Sequence, residues 1–247
     1  MKFKFSGSKR DLQNAYNEMY KQWETEKKIK PLQLKFANRD FQKEARWILD
    51  MFESGKNKKL LDLGCGAGKF LEVATQRELQ VIGFDISDYA VKKAKKVVPM
   101  AHLLISDAEN LPFCDNCFDY VVCYAVLEHI PNQEGAIREM SRILAVGGRT
   151  VVLVPNKFSI ANIYLVYKTG EEQAQAGQEF SEVLHTKAEW QRKLERSGLR
   201  VVKTFKDNNM WATTKVSFAT AAIFNLFIRH FIPLNLSYNL IFVLEKR

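Results

Sequence analysis

The sequence contains no run of 18 apolar residues and no apolar segment close to its first residue. A membrane-spanning helix needs about 20 predominantly apolar residues, and a secretory leader needs an apolar stretch after its charged start. Met1–Arg10 is charged but lacks that stretch. We therefore expect a cytoplasmic protein with no transmembrane segment.

Cysteine is also scarce, with four residues at positions 65, 114, 117 and 123. So few and so clustered cysteines are not typical of a secreted, disulfide-rich fold, and free thiols are expected. Cys114 and Cys117 form a C-x-x-C pair, but no second pair supplies the other two ligands of a structural zinc site. We expect no metal site.

Acidic residues are too few to balance the basic ones, since 28 Asp and Glu face 37 Lys and Arg and the formal net charge is +9. Residues 1–59 hold 15 basic and 8 acidic residues, a difference of +7. Solvated surface helices explain such an excess. Contact with nucleic acid, an anionic membrane surface or an acidic substrate would also explain it.

Apolar spacing predicts two helices, over 9–28 and 40–54, followed by alternating strands and helices. Strands with little polar alternation and with helices between them favour a largely parallel sheet covered on both faces. We predict one α/β domain with a doubly wound, mostly parallel seven-stranded sheet. Its predicted strands are Leu60–Leu63, Val81–Phe84, His102–Ile105, Tyr120–Tyr124, Thr150–Val154, Arg200–Phe205 and Tyr238–Leu244.

The pattern loosens towards the C-terminal end. Gly147 and Gly148 are expected to end the helix before the fifth strand. A helix over 159–168 and a polar loop over 169–180 follow. Thr186–Glu189 is a capping box that opens a helix running to Gly198, and an apolar helix over 214–229 is too short to span a membrane.

The segment Leu60–Phe70 is the most informative, because an apolar strand leads directly into a turn with three glycines and then into a helix. Glycines permit a sharp turn and close approach of the backbone to a ligand. The spacing is G-x-G-x-G, and Lys69 stands where a dinucleotide-binding turn has its third glycine. No G-K-[ST] follows, so a P-loop is not indicated. A nucleotide-like ligand is expected at this turn.

With this turn, residues 60–156 resemble the class I S-adenosylmethionine (SAM)-dependent methyltransferases, in particular the small-molecule branch with its Rossmann-like fold. The resemblance implies SAM as cofactor. On this basis we divide the chain into four parts. These parts are an N-terminal helical cap (1–56), the cofactor-binding core (57–156), a substrate-side insertion with the last helices (157–237) and a final strand (238–247). It also implies that the turn contacts the methionine half of SAM through Gly64, Cys65, Gly66 and Gly68, and that Asp62 lies near the cofactor's ammonium group.

Asp85 ends the second strand, 21 positions after Gly64, a distance of one β–α–β step. A carboxylate at this place can accept hydrogen bonds from both ribose hydroxyls. We assign Asp85 and the adjoining Ile86 to the cofactor site. Asp85 as a helix cap is the alternative, although Ser87 competes for that role.

Two further segments receive roles from the resemblance alone. The loop Ser106–Phe113 resembles the adenine-contacting loop, in which Asp107 would accept from the adenine amino group and the Ala108 N–H would donate to a ring nitrogen. Tyr124, at the end of the fourth strand, would line the methionine end.

His129 is the one histidine that we nominate as catalytic, because it follows the fourth strand on the substrate side and titrates near neutral pH. It would deprotonate an oxygen or nitrogen nucleophile. A packing or helix-capping role is the alternative, since Leu-Glu-His is common in this branch whatever the acceptor.

The expected activity is methyl transfer to an O, N or C atom of a small, hydrophobic or aromatic molecule. An RNA or protein methyltransferase using the basic N-terminal region is one alternative, and an inert SAM-binding protein is another. Enzymes that methylate base amines usually carry an Asn/Asp-Pro-Pro-aromatic element where this chain has Cys-Tyr-Ala-Val, which makes nucleic acid the less favoured partner. The oligomeric state is left open, with a homodimer as one option. Candidates for the acceptor pocket are Tyr16, Tyr20, Trp23, Tyr164, Trp211 and the region 218–231.

Overall fold

The computed structural model describes residues 8–25, 41–52, 57–170, 182–207 and 230–247. Seven strands form one sheet. The strands are β1 Lys59–Leu63, β2 Gln80–Asp85, β3 His102–Ile105, β4 Phe118–Tyr124, β5 Leu144–Pro155, β6 Leu199–Asp207 and β7 Asn239–Lys246.

The strand order is β3-β2-β1-β4-β5-β7-β6. The first five strands are parallel, and β7 runs antiparallel between β5 and β6. The prediction of a doubly wound, mostly parallel seven-stranded sheet is therefore confirmed. The chain order reverses between β1 and β4, and in such sheets ligands bind outside the carboxyl ends of the strands at this switch point.

Helices connect and cover the strands. Two of them begin at side-chain caps that the sequence identifies as candidates. The helices are α1 Lys9–Thr25, α2 over 41–49, α3 Lys69–Ala74, α4 Asp88–Val97, α5 Gln133–Ile143, α6 Ile160–Thr169 and α7 Lys187–Arg196. Ser87 accepts a hydrogen bond from the Ala90 N–H and so caps α4. The predicted capping box of Thr186 and Glu189 opens α7.

Both faces of the sheet are buried. Val121 packs in one apolar cluster and its neighbour Val122 in the other, and the same alternation separates Leu61 from Leu60. Successive side chains of a strand point to opposite faces, so a strand covered on both sides is apolar without interruption. This explains the continuous apolar runs of the sequence.

The structure differs from the sequence-based expectation in β5. Helix α5 ends at Ile143 and β5 begins at Leu144, so Gly147 and Gly148 lie within the strand and do not end the helix. Gly147 has φ +76 where the pairing with β4 shifts register. A glycine with positive φ is typical of a β-bulge, which resembles a helix end in the sequence.

Several predictions fall wholly or partly outside the described residues, namely the helix over 214–229, the loop over 169–180 from residue 171 onwards and the ends of both N-terminal helices. Among the helices that the structure does describe, none is long and apolar enough to cross a membrane.

Candidate active site

The glycine turn after β1 packs against its neighbours at van der Waals distance. Gly64 has φ +73 and Gly66 has φ +53, in the left-handed region that glycine adopts at little cost. A Cβ on Gly64 would lie 2.5 Å from the side chain of Val126, and a Cβ on Gly66 would lie 3.0 Å from the Tyr20 hydroxyl. Larger residues at these positions would push the surrounding chain away.

Asp85 ends β2 beside this turn and is 6% exposed. Its two carboxylate oxygens accept from the backbone N–H groups of Gly66 and Ser87, each at 2.9 Å. Burial raises the pKa of Asp85, and hydrogen bonds from these two amides, from Ile86 and from Tyr20 act in the opposite direction. A buried carboxylate thus faces the turn and is held there by the main chain.

Asp62 lies on β1 and is 2% exposed. Its Oδ2 has no hydrogen-bond partner among the described residues. Burial and the nearby charge of Asp85 raise the pKa of Asp62 to about 8. An uncompensated buried carboxyl is costly, and a cation such as an ammonium group would stabilise its ionised form.

A cavity of about 370 Å³ opens at the carboxyl ends of β1, β2 and β4. Its walls include the loop Ser106–Glu109, the segment Tyr124–Val126, the segment His129–Pro131 and four residues of α1. The cavity lies at the switch point of the sheet, where the parallel topology predicts a ligand site.

The loop after β3 forms one wall of this cavity. Asp107 accepts from the Glu109 N–H at 2.9 Å and pairs with Lys9 of α1. Ala108 is 8% exposed and lines the cavity beside it. A carboxylate and a main-chain segment are therefore placed together at the wall.

Tyr124 lies at the opposite wall, at the end of β4. Its hydroxyl donates to Glu44 Oε2 at 3.1 Å, and its ring packs edge-on against Phe41 at 5.5 Å between centroids. Burial and the charge of Glu44 raise the pKa of Tyr124, so the phenol stays protonated. Ala125 follows with φ +55, a strained conformation for a residue other than glycine, and such strain is common at functional sites.

His129 ends a 3₁₀ helix, Leu127–His129, that follows β4. Burial lowers the pKa of His129 to about 4, so the imidazole is neutral at pH 7. Its Nδ1 has no hydrogen-bond partner among the described residues, and its Nε2 is 4.0 Å from oxygens of both Glu128 and Glu182. The ring meets Tyr16 edge-on at 6.5 Å. A neutral, partly exposed imidazole can accept a proton.

Glu128 is the other buried group of this 3₁₀ helix, with 3% of its surface exposed. Burial raises the pKa of Glu128 to about 8, so its carboxyl is mostly protonated at pH 7 and forms no ion pair with His129. Its backbone carbonyl accepts from the Val183 N–H at 2.8 Å. This bond brings the chain after residue 181 against the site.

Comparison with known proteins agrees with this geometry. Residues 61–152 match the family model described as a methyltransferase domain. Over these residues the chain is similar to methyltransferase domains, and it shares its fold with SAM-dependent methyltransferases of known structure.

Two relatives and one solved structure illustrate the match. An uncharacterized protein of Methanocaldococcus jannaschii is 36% identical over 58% of this chain and 62% of its own length. A ubiquinone biosynthesis O-methyltransferase of Chromobacterium violaceum is 29% identical over 62% of this chain and 65% of its own length. The chain thus spans just under two thirds of the length of each.

The solved structure is a geranyl diphosphate C-methyltransferase from Streptomyces coelicolor in complex with S-adenosyl-L-homocysteine. Its TM-score is 0.64 at 15% identity, and the match covers 83% of this chain and 77% of that chain. At this identity the likeness is one of fold.

The fold brings most of the nominated cofactor residues to one cavity. Asp62 lies behind the cavity wall, and its contact with an ammonium group stays a prediction, as do the roles of the other nominated residues. The nominated residues that line the cavity are Gly64, Asp85, Ile86, Asp107, Ala108, Tyr124 and His129, while Cys65, Gly66 and Gly68 complete the turn behind it.

Only some of the candidates for the acceptor pocket line the cavity. Tyr16 and Tyr20 line the cavity, but Tyr164 is 60% exposed on α6 and is not part of the cavity wall. The Trp23 side chain, Trp211 and the segment 218–229 lie outside the description.

Sequence reasoning missed Glu44, Glu128 and Glu182 as neighbours of the site. Glu128 carried a signal, because a carboxyl adjoining the nominated histidine is noticeable. The other two come from distant parts of the chain, and no local pattern places them.

Proposed function

We propose that this protein transfers a methyl group from SAM to a small, apolar or ring-bearing molecule. The observation that carries the proposal is the buried Asp85 carboxylate, which accepts a hydrogen bond from the Gly66 amide and lines the same cavity as His129. One cavity thus joins a site for a nucleoside to a neutral base.

The donors and acceptors of the site fit SAM. Asp85 would accept from the ribose hydroxyls, with Ile86 beside it. Asp107 and the Ala108 amide would hold the adenine. The Oδ2 of Asp62, for which the described part of the chain supplies no hydrogen-bond partner, fits the cofactor's positively charged end. When bound, SAM supplies a methyl group attached to a positively charged sulfur, and this sulfur is a good leaving group because it departs as a neutral thioether.

The protein's own contribution is to position the acceptor. Holding two reactants in line is worth roughly 7–11 kcal/mol of the barrier, and a general base adds about 10²–10⁴-fold. His129 lines the cavity with an imidazole that is neutral at pH 7 and would take the proton of an oxygen or nitrogen nucleophile, although the burial that lowers its pKa to about 4 also makes it a weaker base than a free histidine. The ring of Tyr16 and the side chains of Val126 and Ile130 provide an apolar wall for the acceptor.

The proposed class of acceptor agrees with what similar proteins are named for. One relative is a ubiquinone biosynthesis O-methyltransferase, and one protein of similar fold is a geranyl diphosphate C-methyltransferase. Both names refer to small molecules, which supports a small acceptor for this chain.

Binding and turnover together test the proposal. We expect titration calorimetry to detect SAM and S-adenosylhomocysteine, and radiolabelled SAM to methylate at least one member of a panel of phenols, amines and isoprenoid-substituted rings. Bulk tRNA and a protein extract serve as competing acceptors, and their methylation with a steep dependence on salt would favour the RNA or protein alternative. Folded protein that binds no SAM would refute the proposal.

A further inference from the structure

Helix α1 is attached to the segment that carries Asp85. The Asn17 side chain donates to Asp88 Oδ1 at 2.6 Å and accepts from the Ser87 hydroxyl at 2.6 Å and from the Tyr89 N–H at 3.3 Å. One amide thus ties α1 to the start of α4, three residues beyond Asp85.

Tyr20 follows Asn17 by three positions, so both side chains project from the same side of α1. The Tyr20 hydroxyl donates to the Asp85 carboxylate. The same hydroxyl lies 3.0 Å from where a Cβ of Gly66 would stand. It is therefore in contact with the glycine turn and with the carboxylate at once.

The Tyr20 hydroxyl stays protonated near neutral pH, so it remains a hydrogen-bond donor. Burial and the charge of Asp85 raise the pKa of Tyr20 far above neutrality, so its proton stays in place. Hydrogen bonds to charged groups are stronger than those between neutral groups. A protonated phenol against a buried carboxylate favours the ionised form of that carboxylate, which is the form that can accept hydrogen bonds from two ribose hydroxyls.

We propose that Tyr20 is a positioning residue for SAM, which acts by holding the Asp85 carboxylate in place and ionised beside the Gly66 amide. This inference rests on the proposed function. It adds α1, which lies outside the matched residues 61–152, to the cofactor site.

The groups around Asp85 determine how the loss of the Tyr20 hydroxyl would change the pKa of Asp85. Asp62 on β1, Cys65 in the turn and Tyr16 on α1 also interact electrostatically with Asp85. Burial already disfavours the charge of Asp85, and the Tyr20 hydroxyl opposes that effect. Removal of the hydroxyl should raise the pKa of Asp85 and leave more of it protonated on the acid side of neutrality.

Tyr20→Phe tests this inference, with SAM affinity measured by calorimetry from pH 5.5 to 8.5. We expect about a tenfold loss of affinity at the acid end, as for one hydrogen bond to a charged group, and a smaller loss as pH rises and Asp85 ionises in both proteins. Tyr164→Phe, on the exposed face of α6, is the matched control and should follow the wild-type profile.

The outcomes separate the inference from the proposed function. Failure of the wild-type protein to bind SAM contradicts the function itself. Wild-type binding together with unchanged or tighter binding by Tyr20→Phe overturns the inference alone. A loss of equal size at every pH, with unchanged thermal unfolding, would indicate packing and would also overturn it.

Discussion

The two ends of the cavity are built in different ways. At the end formed by β1, β2 and α1, main-chain amides of Gly66 and Ser87 hold the Asp85 carboxylate. At the end formed by the 3₁₀ helix, His129 and Glu128 each keep a buried atom that has no hydrogen-bond partner among the described residues. The main chain thus pre-arranges Asp85 at the first end, where Asp62 Oδ2 is the one buried side-chain atom without a partner among the described residues, whereas the second end holds two such atoms on adjacent side chains.

The difference follows from chain connectivity. The cofactor end consists of turns that directly follow consecutive strands, so its geometry depends on short segments. The acceptor end combines the 3₁₀ helix after β4 with the chain after residue 181, which Val183 joins to Glu128. Such a surface can change its specificity without disturbing the cofactor end, as is usual when function lies in loops on a rigid scaffold.

The largest expected effect lies at the cofactor end. Asp85→Ala removes the proposed acceptor of two ribose hydroxyls, and each hydrogen bond to a charged group is worth about 1.5–3 kcal/mol. We therefore expect SAM affinity to fall by at least ~100-fold in calorimetry at pH 7.5. Asp50→Ala, at an exposed carboxylate paired with Arg77, should leave the affinity unchanged. Equal affinity of wild type and Asp85→Ala would remove the ribose assignment.

An intermediate effect is expected at the acceptor end. If His129 is the proposed general base, His129→Ala should lower kcat by more than about tenfold while SAM affinity stays within twofold of wild type, because a base acts only in the chemical step. Since the pKa of His129 is lowered to about 4, its own titration should not limit kcat between pH 6 and 7. His102→Ala, on the exposed edge strand, is the control. Full activity of His129→Ala would end the base assignment and favour packing against Tyr16.

The same contrast explains how much the sequence alone could predict. The sheet and the cofactor turn were accessible because they depend on local signals, namely apolar runs, the glycine spacing and an acidic residue one β–α–β step later. Glu182 and Glu44 could not be predicted as neighbours of the site, because they lie in segments that are far from it in the chain. Tyr20 was assigned to the acceptor pocket, since helical spacing cannot tell which end of a cavity an aromatic residue will cover.

The smallest expected effect concerns stability at the acceptor end. Glu128 is protonated in the folded protein up to a pKa of about 8, whereas an unfolded Glu ionises near pH 4.3. The folded state therefore holds the proton more tightly, and this contribution to stability is complete below about pH 4 and is lost as pH rises through about 8. Glu128→Gln, which cannot ionise, should avoid that loss.

We expect Glu128→Gln to raise Tm at pH 8.5 and to leave it nearly unchanged at pH 4.5, because only the ionised carboxyl is destabilised by burial. Differential scanning fluorimetry at the two pH values measures this difference. Glu139→Gln provides a control of opposite sign, because Arg142 lowers the pKa of Glu139 and the contribution of Glu139 is present above its unfolded pKa. It should lower Tm at pH 8.5 more than at pH 4.5. A Tm shift of Glu128→Gln that does not depend on pH would show that Glu128 is ionised within the fold, and the acceptor end would then carry a buried negative charge next to His129.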